Sequence, residues 1–133
     1  MPSIIEKPEV VIEKSLLHAL QQYTATESQV VIHGIISPKD EMCYIRVWPT
    51  TFLFDKHSSH VSELVYFEKI SGYPIWTQIQ PNKQFHFTLI FTGLPKACSA
   101  FDLHEVIPEF SGFYIPDIVR NERDVYFVDF TES

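Results

Sequence analysis

Along much of the chain, apolar and polar side chains alternate one for one. The clearest run is Phe85 to Phe91, where Phe85, Phe87, Leu89 and Phe91 fall on one side and His86, Thr88 and Ile90 on the other. A period of two belongs to an extended strand, whose successive side chains point to opposite faces. The same period recurs in Cys43 to Phe54, with Tyr44, Arg46 and Trp48 opposed to Cys43, Ile45 and Val47. It recurs again in Val61 to Ile70, Phe101 to Ile107 and Val125 to Phe130. Gln29 to Ile36 and Phe113 to Val119 are further apolar runs of strand length, and Ile75 to Lys83 is a less regular one. Turn residues separate them. In Ser37-Pro38-Lys39-Asp40, proline fixes φ and aspartate bonds its own backbone. Pro49 cannot donate to a ladder, so a bulge or an edge is expected there. Arg120 to Asp124 reads as a hairpin loop joining the last two strands.

Seven or eight short strands with regular turn signals predict an all-β fold, a single antiparallel β-sandwich or a barrel. No helical pattern alternates with them, which argues against a parallel α/β sheet. Residues 1–8, bracketed by prolines, read as a flexible tail, and 9–133 as one domain. The stretch Glu9 to Tyr23 supports two readings. Ile12, Leu16, Leu20 and Tyr23 follow helical spacing, giving a short N-terminal helix, whereas Glu9 to Glu13 taken alone reads as a strand.

From Phe87 onward a longer pattern emerges: Phe87-Thr88-Leu89-Ile90-Phe91, Leu94-Pro95-Lys96, then Phe101-Asp102-Leu103-His104-Glu105, then Gly112-Phe113-Tyr114-Ile115. It resembles the C-terminal half of immunoglobulin-like (telokin-like) β-sandwich domains of uncharacterised bacterial proteins. Ile45 to Trp48 and Thr51 to Asp55 are similar to the strand that precedes a polar turn in those domains. The resemblance spans residues 44–130 and implies the sandwich fold. It carries over no catalytic residue. In physical terms, the alternating Phe face supplies buried area, and Asp102 and Glu105 are expected to accept backbone N–H bonds at the crossover rather than to do chemistry.

Composition narrows the function classes. At 133 residues and 45% apolar, the chain can bury a core without disulfide or metal. Its net charge of −7 is uneven. From Asp102 to the end, eight acids face only Arg120 and Arg123, a balance of −6, which leaves −1 for the first 101 residues. No basic strip tracks phosphates, so nucleic acid is not an expected partner. No signal peptide and no apolar run of membrane length is visible, so no membrane association and a cytoplasmic, soluble protein are expected. Cys43 and Cys98 then read as reduced core thiols.

Catalytic signatures are missing. The four glycines, Gly34, Gly72, Gly93 and Gly112, are isolated, so there is neither a nucleophile elbow nor a phosphate-cradling loop. No cofactor is expected. His57 and His60, with Asp55 nearby, are the weak candidates for a metal site, against the plainer reading of solvated loop histidines. His33 and His86 lie in strands, and even on one face would lack a third ligand. Trp48-Pro49 and Tyr73-Pro74-Ile75-Trp76 set aromatics beside prolines, a rigid form of binding platform; the competing reading buries both tryptophans in the core. These features lead to a non-enzymatic module for protein–protein interaction or self-association, binding an unknown protein partner or a second copy. The alternative is small-molecule or carbohydrate binding through Trp48, Tyr73 and Trp76, with a metal-dependent hydrolase behind both.

Overall fold

The computed structural model describes residues 29–108 and 112–131. The 1–8 tail and the ambiguous 9–23 segment lie outside them. Nine strands follow in chain order: β1 (Val30–Ile36), β2 (Cys43–Ile45), β3 (Thr51–Asp55), β4 (Val61–Glu68), β5 (Thr77–Ile79), β6 (Phe85–Phe91), β7 (Ala100–Glu105), β8 (Tyr114–Val119) and β9 (Val125–Asp129). The described residues are all-β, and none forms a helix long and apolar enough to cross a membrane. Seven strands make one mixed sheet in the order β8-β7-β3-β4-β6-β1-β9, while β2 and β5 form a separate ribbon.

The sheet curls because β4 serves two neighbours. Its first residues pair with β3, Phe54 opposite Val61 and Phe52 opposite Glu63. From Leu64 on its later residues pair with β6, with an irregularity between Leu64 and Tyr66. A bulge of this kind bends a strand and increases its twist. The two ends of the sheet are thereby brought together: Phe101 of β7 meets Tyr126 of β9 edge-on at 5.1 Å, and Phe113 meets Phe130 at 5.1 Å. One core lies between, built mainly from alternate residues of β1, β3, β6 and β7. Val30, Ile32 and Ile36 of β1 face Phe87, Leu89 and Phe91 of β6, with Leu53, Phe101 and Leu103 opposite.

Several expectations are corrected. The strands are not all antiparallel: β1 and β9 run parallel, Val31 beside Val125 and Ile35 beside Asp129. The last two strands do not form a hairpin. β8 pairs with β7, whereas β9 lies at the other edge of the sheet. The reason is in the connecting loop. Arg120 grips Asp124 through Nε and Nη2, at 2.6 and 2.9 Å, and its Nη1 donates to the carbonyls of Pro95 and Cys98 at 2.6 and 3.1 Å. The loop is thus tied to the β6–β7 connection, and the chain crosses to β1 instead of folding back. The run Cys43 to Phe54 is two strands, because the chain leaves the ribbon at Trp48-Pro49 before entering the main sheet at Thr51.

Candidate functional site

The β2–β5 ribbon buries one face and exposes the other. Ile45, Ile79 and, just beyond, Val47 point into the core. Tyr44 lies opposite Gln78 in the antiparallel register, so the next outward pair is Arg46 and Trp76. Their contact is direct: the Arg46 guanidinium carbon stands 3.7 Å from the Trp76 ring centroid. It stands 4.6 Å from that of Tyr73 and 5.6 Å from that of Trp48. Trp48 and Tyr73 have centroids 3.8 Å apart. Cations lie over aromatic faces because the ring quadrupole is negative there. Backbone bonds hold the frame. Tyr73 N donates to the Val47 carbonyl at 2.9 Å, and Val47 N to that of Ser71 at 2.8 Å. Ser71 and Thr77 join hydroxyls across the turn.

The three aromatics singled out in the sequence therefore meet at one place. Trp76 is half exposed, at 52%, which corrects its reading as a core residue; Tyr73 is exposed and Trp48 half-buried. Met42, Tyr44, Tyr73, Ile75 and Trp76 are five of the eleven exposed large apolar side chains among the described residues, and all five sit on β2, just before it, or in the segment that leads from β4 into β5. Arg46 was legible only as a member of an alternating face with Tyr44 and Trp48. Nothing in the sequence placed Trp76 above it.

Beneath the cluster lies a buried carboxylate. Glu105 accepts the Trp48 N–H at 2.8 Å, the Phe113 N–H at 3.2 Å and the Thr51 hydroxyl at 3.4 Å. Burial pushes its pKa up, against the lowering by these donors and by the charge of Arg46. Asp102 accepts the Asp117 N–H at 2.8 Å and meets Lys56 at 3.4 Å. Both acids thus serve the fold, consistent with Glu105 closing the end of β7 onto the entry of β3.

The histidines do not converge. The backbone N–H of His57 donates to Asp55 at 3.0 Å, while the His60 ring contacts Ser62 Oγ and the Gly93 carbonyl, each at 3.0 Å. His33 and His86 share the outer face of β1 and β6; His33 bonds Thr88 at 2.9 Å, stacks on Phe127 at 5.1 Å, and has its pKa lowered by burial. Among the described residues, no three His, Cys, Asp or Glu side chains are grouped to hold a metal ion. Cys43 and Cys98 are free. A concavity of about 580 Å³ lies on the outer face of β3, β7 and β8. Phe54, His104 and Tyr114 step across it with ring centroids 6.1 and 5.2 Å apart.

Comparison with protein families, with curated proteins and with solved structures finds no match to this chain.

Proposed function

We propose that this protein is a non-enzymatic β-module that binds a protein partner through the solvent face of the β2–β5 ribbon. The observation that carries the reading is the gathering of Trp48, Tyr73 and Trp76 around Arg46, extended by Tyr44, Ile75 and Met42. Clustered exposed apolar side chains mark interaction surfaces, and Trp, Tyr and Arg are the residue types that dominate binding energy at such surfaces. The rings are held by one another and by the ribbon backbone, so little rotamer freedom remains to be lost on binding.

A protein partner is favoured over a sugar by the aliphatic margin. Ile75 and Met42 widen the surface beyond the rings, and a stacked carbohydrate has no use for them. We read the curled sheet as a distorted immunoglobulin-like sandwich, β4 passing from one layer to the other. The facing of Phe101 and Tyr126 supports that reading.

The test is affinity capture from the source lysate, together with sedimentation velocity, on the full chain and on a Tyr73→Ala/Trp76→Ala variant. The expected result is a partner, or a second copy, that the full chain retains and the variant loses. A chain that is strictly monomeric and retains nothing, or whose retained proteins are indifferent to the double substitution, overturns the reading.

A further inference from the structure

Arg46 carries more donors than the fold uses. A guanidinium has five N–H groups. One Nη1 proton goes to the Pro74 carbonyl at 3.2 Å, and the buried Nε has no acceptor. Among the described residues no carboxylate ion-pairs with it. The acid that feels its charge, Glu105, already spends its oxygens on Trp48, Phe113 and Thr51. Arg120, by contrast, makes four such bonds. Arg46 is thus a cation whose guanidinium carbon stands over the Trp76 ring, with Nη N–H groups for which, among the described residues, the Pro74 carbonyl is the acceptor found. A guanidinium with Nη donors to spare suits a carboxylate, which it meets through charge-assisted N–H bonds.

The geometry points to a carboxylate-bearing protein segment as the occupant of this face: one acid of the partner on Arg46, flanked by apolar side chains on Trp76, Tyr73 and Ile75. The inference rests on the reading of the ribbon as a partner surface. The charge of the whole chain sets its limits. At −7 the protein repels a run of acids, so the segment offers a lone acid among apolar neighbours. A wholly apolar segment would instead cover Arg46 and leave its spare donors without acceptors, which is costly once water is excluded.

The experiment is selection of phage-displayed random peptides on the immobilised full chain. The best selected peptide is then made in blocked form, and its binding is followed through the fluorescence of Trp48 and Trp76. Selected peptides should share a single Asp or Glu between apolar residues. Changing that acid to its amide should weaken binding about tenfold or more, as expected for a charged hydrogen bond. Arg46→Gln should erase the difference between acid and amide peptides, Arg46→Lys should keep part of it, and Trp76→Ala should weaken both peptides alike. If Arg46→Gln does not fold, Arg46→Lys and the acid-to-amide comparison on the native chain decide the matter. Peptides that depend on Trp76 but not on an acid overturn the carboxylate anchor and leave the partner surface standing. Selection that yields nothing sensitive to Trp76→Ala overturns both. Sodium phenylacetate binding as tightly as the best peptide makes the occupant a small carboxylate, and the segment falls.

Discussion

Gly34→Ala probes how the core is fitted together. Gly34 sits in the middle of β1, directly opposite Phe87 of β6, on the inward face. A Cβ built there would lie 2.4 Å from Phe87 Cζ and 2.7 and 2.8 Å from the two Cε atoms, where carbon atoms normally rest about 3.5–4.0 Å apart. The Phe87 ring therefore occupies the space a side chain at position 34 would need. It cannot swing aside freely, because it is fully buried and braced edge-on by Phe130 at 4.9 Å. Overpacking of this kind costs about 1–3 kcal/mol. Against it, Ala restricts the unfolded chain and returns about 0.4–1 kcal/mol, since Gly34 is not in a positive-φ conformation. The net expectation is a loss of about 1–2 kcal/mol, or about 4–8 °C in Tm for a chain of this length. Urea denaturation and thermal melts of Gly34→Ala, Phe87→Leu and the double variant complete a cycle. The smaller ring site should rescue the alanine, giving a coupling of about 1 kcal/mol or more. A neutral or stabilising Gly34→Ala, or a coupling below about 0.5 kcal/mol, refutes the argument that ring and glycine share one volume.

Four further outcomes follow from buried groups. Arg120→Ala strips Asp124 of its bidentate partner while leaving it buried, at about 3 kcal/mol by denaturant unfolding. Tyr126→Phe, which loses both the bond to Asp124 and the one from Asn121, costs about 1–2 kcal/mol. His33 has its pKa lowered by burial, so the unfolded chain takes up the proton first. Its contribution is intact above the ordinary histidine value and is lost as pH falls below about 6.5 toward the depressed folded value. Thermal melts across that range should fall less steeply for His33→Asn, and an NMR titration of the His33 ring should give a pKa below that of a free imidazole. Cys98 is buried and its thiol pKa is raised, chiefly by that burial, whereas Cys43 is half-buried. Iodoacetamide at pH 8 followed by mass spectrometry should label Cys43 first and reach Cys98 only on unfolding; equal rates would contradict the burial of Cys98.

Strand positions were legible in the sequence because alternation is a local consequence of the extended backbone. Phe85 to Phe91, with its phenylalanines inward, needed no partner strand to be recognised. The backbone-holding acids were legible too: Glu105 and Asp102 sit beside the core residues Phe101 and Leu103 and accept N–H groups of Trp48, Phe113 and Asp117. Pairing was not. That β9 would join β1 in parallel, rather than β8 in a hairpin, depends on Arg120 reaching carbonyls more than twenty residues back in the chain, a contact without local trace. The candidate site shows the same division. Its three aromatics stood out as residue types beside prolines. Arg46 passed as an ordinary outward residue, and only the register of β2 on β5 laid it against Trp76, with no ion pair to an acid among the described residues. The sequence by itself determined which residues are extended and which of their faces are apolar, because side-chain period and turn chemistry act within a few residues. The tertiary structure decided which strands meet, which glycine yields to which ring, and which cation lies over which aromatic ring, because those outcomes depend on contacts between residues far apart in the chain.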